Sequence, residues 1–129
     1  MSALPGAVVR TFISSSDLSA KKYFFVQQDA DGKATIATGT VSAGTDVLGV
    51  VLDGGAASGD PVSIVVSGPA KVSVGTAVDE GDRLIPDSAG EAIKTTTAGD
   101  EIIAIAHEDG ADGDIIEVLV GRFGPYAIT

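Results

Sequence analysis

A chain of 129 residues with no cysteine has room for one domain around one core and holds neither disulfide nor thiolate chemistry. Its 18 acidic residues against 8 basic ones, a formal net charge of -10, oppose binding to DNA or RNA, and no Lys/Arg stripe is present to release phosphate counterions. The opening residues lack the pattern of an export signal and no apolar run approaches a membrane span, so the expected setting at synthesis is soluble and intracellular, with neither nucleic acid nor membrane as a partner.

Met1 to Gly6 reads as an arm, because Pro5-Gly6 interrupts regular structure before the extended segment Ala7 to Ile13. Ser14 to Ser19 is a polar loop. Lys22 to Gln28, with Tyr23, Phe24, Phe25 and Val26, predicts the one aromatic strand, and the turn Asp29-Ala30-Asp31-Gly32 folds it back on Lys33 to Ala37 as a hairpin. Val47 to Leu52 and Pro61 to Val66 are apolar strands separated by a Gly/Ala-rich stretch. Gly68-Pro69 is expected to turn the chain into Ala70 to Val74, where Val72 and Val74 share one face and Lys71 and Ser73 the other.

The second half carries a recurring phrase of Gly-Asp, any residue and an aliphatic residue, at Gly59-Asp60, Gly81-Asp82, Gly99-Asp100 and Gly113-Asp114. Glycine accepts positive φ and aspartate caps a turn with its own side chain, so each phrase closes a turn and launches a strand. Arg83 to Ile85 and Ala92 to Thr95 form a second hairpin around Pro86 to Gly90. Ile102 to Ala106 is apolar on both faces and is expected to be covered on both sides. Ile116, Val118 and Val120 should face the core, with Ile115, Glu117 and Leu119 opposite. About ten short strands, Gly-Asp turns and little or no helix predict an all-β fold, a small barrel or sandwich, as a single domain over residues 1–129 with an extended N-terminal arm (about 1–10) and a short C-terminal tail (about 123–129). Only 5% of the chain is aromatic, so the core is thin, and self-association is the natural source of further burial.

The residues of catalysis are sparse. His107 is the sole histidine, with no Cys to activate and no second His to share a metal, and no serine sits in a Gly-x-Ser-x-Gly turn. The run Gly54-Gly55-Ala56-Ala57-Ser58-Gly59 lacks the Lys-Ser/Thr ending of a phosphate loop and leads into a strand rather than a helix. Asp79, Glu80 and Asp82, and Asp109, Asp112 and Asp114, offer oxygen ligands suited to calcium, but not at the spacing of a twelve-residue calcium loop, and each has a turn to form. No catalytic, cofactor-binding or metal site is assigned, and the chain reads as a non-enzyme.

The order of phrases Val47-Leu48-Gly49-Val50-Val51, Gly59-Asp60-Pro61-Val62-Ser63-Ile64, Gly68-Pro69-Ala70-Lys71-Val72, Ala77-Val78-Asp79-Glu80-Gly81-Asp82-Arg83-Leu84, Ala89-Gly90-Glu91-Ala92 and Ile105 to Ile115 resembles the capsid cement, or head decoration, proteins of tailed bacteriophages, over about residues 40 to 121. That resemblance implies a non-enzymatic β-rich protein, typically a homotrimer. It would be made in the host cytoplasm and carried on the outer capsid surface of the virion, where it bridges major capsid protein subunits and stabilises the shell. Contact is then expected at the extended ends: Leu4, Pro5, Val8, Val9 and Arg10 at the N-terminus, and Arg122, Phe123, Pro125 and Tyr126 at the C-terminus. The opposing expectation is that the ends complete the domain's own sheet. The alternative function is a non-enzymatic β-rich module that binds carbohydrate or protein on a surface structure, although the chain offers few aromatic platforms. A third is a small barrel enzyme with Asp79, Asp82 or His107 between subunits, for which the spacing suggests no reaction.

Overall fold

Three of the four Gly-Asp phrases build the turns expected of them. The N–H groups of Asp60, Asp82 and Asp114 donate to the carbonyls three residues earlier, at Ala57, Asp79 and Ala111, over 3.0, 3.0 and 2.9 Å. Between them Gly59, Gly81 and Gly113 take φ of 93°, 91° and 90°, the third turn position at which a side chain would be strained. The fourth phrase, Gly99-Asp100, lies outside the described residues. These are residues 4–29, 31–37, 47–52, 57–96, 101–121 and 123 of the computed structural model.

Nine strands are present among them: β1 (Val8–Ile13), β2 (Phe25–Gln28), β3 (Ala34–Ile36), β4 (Val47–Val51), β5 (Pro61–Ser73), β6 (Arg83–Pro86), β7 (Ala92–Lys94), β8 (Ala104–Ala106) and β9 (Ile115–Val120). No helix occurs among the described residues, so the all-β reading holds. The strand-to-strand ladders are all antiparallel and form one sheet in the order β3-β2-β4-β5-β9-β8-β6-β7, with β1 also on β5. Both expected hairpins form. Val26 faces Ile36 across the first, and Leu84 faces Lys94 across the second. Each is closed by an aspartate whose Oδ1 accepts two backbone N–H groups, Asp29 from Asp31 and Lys33, and Asp87 from Ala89 and Glu91.

The sheet is curled. At one end Ser15 N–H reaches Ala34 of β3 at 2.8 Å, and at the other Gly75 N–H reaches Ala92 of β7 at 2.8 Å, so each outer strand is drawn back toward chain flanking β1 or β5. Closing the edges in this way removes unpaired backbone from solvent. Inside one curl, Leu18, Val26, Ala34, Val51, Val62 and Ile64 form a small cluster; the larger cluster runs through Phe25, Val65, Val72, Leu84, Ile103 and Val118. The alternation read from β9 is present: Ile116, Val118 and Val120 are buried while Ile115 is exposed. Ile102 and Ile103 are both buried ahead of β8, as expected for a segment covered on two sides.

Two segments depart from expectation. Gly68-Pro69 does not turn the chain, and β5 runs unbroken for 13 residues. Gly68 pairs with Val120 and Pro69 with Leu119, so the ladder to β9 carries the strand through a bend at Gly68, φ 93°. Proline is tolerated because its missing N–H belongs to the edge away from the ladder. The aromatic strand is also shorter than expected. Phe24 N–H closes a turn onto Lys21 at 3.1 Å, and Tyr23 sits in it with φ 69°, a position that usually holds Gly or Asn. Tyr23 is held there by hydrogen bonds from its N–H to Val51 and from Ser73 N–H to its carbonyl, both 2.9 Å, which tie the turn to β4 and β5.

Candidate functional site

The start of β1 and the end of β9 meet on β5. Val8, at the start of β1, is opposite Ser67, and Val120, at the end of β9, is opposite the next residue, Gly68. β4 pairs with the other edge of β5 at Ile64 and Val65, so β1 and β9 follow one another along the same edge. Only a glycine permits this junction. A Cβ on Gly68 would stand 2.5 Å from the Gly6 carbonyl oxygen and 2.9 Å from the Ala7 Cα. Beyond β9, Gly121 and Phe123 donate their N–H groups to Ile103 and Ile102, each at 3.0 Å.

Exposed apolar side chains lie on β1, at the start of β9 and beyond its end. Val8, Val9, Ile13, Ile115 and Phe123 are the large hydrophobics left between 38% and 49% exposed among the described residues. Three of them, Val8, Val9 and Phe123, belong to the converging ends, and Ile13 continues β1. Arg10 and Thr11 are exposed as well, so β1 offers solvent a nearly bare strand in which only Phe12 and, before it, Ala7 pack inward. A paired strand that leaves most of its apolar surface uncovered contributes little burial to its own domain and has that area to give to a partner.

Of the residues singled out in the sequence, Leu4 is half-buried in a cavity beside Pro69 and Pro5 is exposed; Val8 lies at the junction, Val9 and Arg10 follow it along β1 opposite Val65 and Ile64, and Phe123 lies past the end of β9 beside Ile102. Arg122, Pro125 and Tyr126 are outside the described residues. Ile13 was not singled out; its exposure follows from the outward position of β1, which no local pattern reveals.

The acidic groups are engaged in holding turns. Asp82 Oδ2 accepts Asp79 N–H at 2.8 Å, Asp114 Oδ2 accepts Ala111 N–H at 2.9 Å, and Asp109 Oδ1 accepts Glu80 N–H at 2.8 Å. The last bond joins two clusters that are separate in sequence, brought together by the Val78–Gly110 bridge. Among the described residues no three His, Asp or Glu side chains converge as a metal site would require. His107 is exposed at the end of β8, its backbone N–H bound to the Glu117 carbonyl at 3.0 Å, and Glu108 accepts the Glu117 N–H at 2.7 Å. Asp17 and Asp29 are held below the usual carboxylate range, the first chiefly by hydrogen bonds from Ser19 and the second by the Ser15 hydroxyl and then the Lys33 N–H. Both are capping groups in exposed turns.

A family model described as phage cement protein matches residues 25–122. The chain belongs to the phage cement protein family. Membership makes it a capsid-associated structural protein of a phage and places it with the virion. Among solved structures, the head fiber gp8.5 N base of bacteriophage phi29 superposes with a TM-score of 0.66 at 16% identity, over 95% of this chain and 99% of that one. At that identity the likeness is one of fold. No curated protein matches the chain by sequence. The family match begins at Phe25, so β1, which carries most of the exposed apolar surface, lies ahead of the matched region.

Proposed function

We propose that this cement protein binds the outer surface of the assembled capsid, bridges neighbouring major capsid protein subunits and stabilises the shell without catalysing a reaction. The observation that carries the reading is β1, a strand paired to β5 that leaves Val8, Val9 and Ile13 exposed, together with Phe123, exposed beyond the end of β9.

A clip of this kind works by mass action. It stabilises the assembled lattice over dispersed subunits by as much as it binds the first better than the second, and needs no reactive group. The protein acts as a homotrimer: three identical patches around one axis engage a matching lattice axis together, so weak individual contacts add through effective concentration. Its net charge of -10 keeps free trimers from clumping and discourages adhesion to nucleic acid.

Mass measurement in solution followed by co-sedimentation with expanded shells tests the reading. A trimer that sediments with shells and raises their melting temperature is expected. A protein that stays in the supernatant at all concentrations would exclude capsid binding, and a monomer that sediments would remove the trimer alone.

A further inference from the structure

A cavity of about 220 Å³ lies where β4 ends alongside the second half of β5, and its lining includes Leu4, Tyr23, Leu52, Val65, Pro69 and Lys71. That is below the roughly 300–1,000 Å³ of pockets that enclose whole small molecules, and is of a size to take one large side chain. The walls are apolar, but cations stand at them. Lys71 is exposed at the lining, and the Lys22 ammonium lies 4.9 Å from the centre of the Tyr23 ring, which itself lines the cavity. In a chain of net charge -10 this is a local reversal of sign. Among the described residues, Glu117, directly across from Lys71 on β9, is the acidic group that faces it.

The backbone at Lys71 adds a second kind of partner. Glu117 donates its N–H to Glu108 at 2.7 Å and accepts from His107 at 3.0 Å, so its backbone groups face away from β5. Lys71 and Glu117 are therefore a pair that exchanges no ladder bonds, and the Lys71 N–H and C=O point to the opposite edge of β5, the cavity side. Two residues on, the Ser73 N–H on that edge is taken by the Tyr23 carbonyl. Beside Lys71 no strand pairs with that edge among the described residues, since β4 meets β5 only at Ile64 and Val65.

The geometry points to a socket for an extended peptide segment of the capsid subunit, one that places a large apolar side chain in the cavity, a neighbouring carboxylate between Lys22 and Lys71, and its main chain against Lys71. This rests on the capsid-binding reading for the identity of the partner. A main-chain donor and acceptor beside an apolar hole suits a peptide better than an acyl chain, which has no use for them. Tyr23, held at positive φ by bonds to both β4 and β5, keeps the socket open before any ligand arrives.

The test uses the purified protein, labelled with ¹⁵N, and blocked octapeptides in which Leu, Met or Phe adjoins Asp or Glu within a Ser/Thr/Gly background. Saturable NMR shifts around Tyr23, Leu52 and Lys71 are expected. Binding should weaken at least tenfold when Ala replaces the large residue, when Lys replaces the acid, or in the Lys22→Gln/Lys71→Gln protein, whose melting temperature should match that of the wild type. Peptide binding by a protein that ignores expanded shells would uphold the socket and remove the capsid as its partner. Shell binding that is unchanged in the double variant, together with no peptide shifts, would overturn the socket and leave the capsid reading standing. Shifts with dodecanoate but with no peptide would overturn it in favour of a lipid. An oligomer dispersed by the double substitution, without peptide binding, would overturn it in favour of a second copy of this chain.

Discussion

Val8 and Val120 occupy consecutive rungs on one edge of β5, opposite Ser67 and Gly68, although 112 positions separate them in the chain (120 minus 8). The junction depends on the absence of a side chain at Gly68, where a Cβ would meet the backbone of Gly6 and Ala7. Gly68→Ala should therefore destabilise by about 3 kcal/mol or more, combining a φ of 93° with a backbone clash. Gly81→Ala, at φ 91° but with nothing within 4 Å, should lose only about 1 kcal/mol from backbone strain. Calorimetry on the two variants separates them; equal melting temperatures would mean that the junction is not tight.

The exposed apolar residues of β1 predict where shell binding is sensitive. Val8→Asp should reduce co-sedimentation with expanded shells at least tenfold, because a charge must then be desolvated in the contact, while the exposed site limits the loss of fold stability to about 1 kcal/mol. Ile115→Asp is the control. Ile115 is equally exposed but sits at the other end of β9, opposite Ser73, and the same charge there should leave binding unchanged. Equal effects at both positions would remove β1 from the proposed contact.

Much of this was legible in the residues, and what was not shares one cause. The turns at Gly59-Asp60, Gly81-Asp82 and Gly113-Asp114 could be read because a positive φ and a capping carboxylate are local demands. The inward set Ile116, Val118 and Val120 followed from period-two alternation. Gly68-Pro69 has the composition of a turn and became mid-strand only because β1 and β9 abut there, a fact of sheet order rather than of local preference. Tyr23 was assigned to a strand for the same reason: its place in a turn is set by Val51 and Ser73, distant in sequence. The ends were recognised as candidate contacts one at a time, and their meeting at β5 required the topology.

Ser14 is buried, with its hydroxyl 2.6 Å from the Ala57 carbonyl and 3.0 Å from that of Asp60, while its own backbone binds Asp60 and Gly59. It ties the end of β1 to the turn that launches β5. Ser14→Ala removes the buried hydroxyl bond while each carbonyl keeps one backbone donor, and should destabilise by about 1 kcal/mol, read as a lower urea midpoint at unchanged slope. A midpoint that does not move would show that water replaces the hydroxyl fully.

Acid should weaken the first hairpin through Asp29. Its carboxylate is favoured in the folded protein by the Ser15 hydroxyl and the Lys33 N–H, so its pKa is lower folded than unfolded. The stabilisation is present above the unfolded value, about 3.9, and is lost as pH falls through the lower folded value. Asp29→Asn keeps an acceptor and removes the charge. The gap in melting temperature between wild type and this variant should be constant near neutrality and close as pH is lowered from about 5 toward 2. A gap that widens in acid would reverse the assigned sign.

The 13-residue β5 belongs to both curls of the sheet, and this dictates where the molecule can be rebuilt. A breakpoint or graft inside Pro61–Ser73 deprives each curl of a wall, so the chain offers no modular seam between its halves. The tips at Gly81 and Gly113, with open space where a side chain would stand, are instead the places for epitopes or tags.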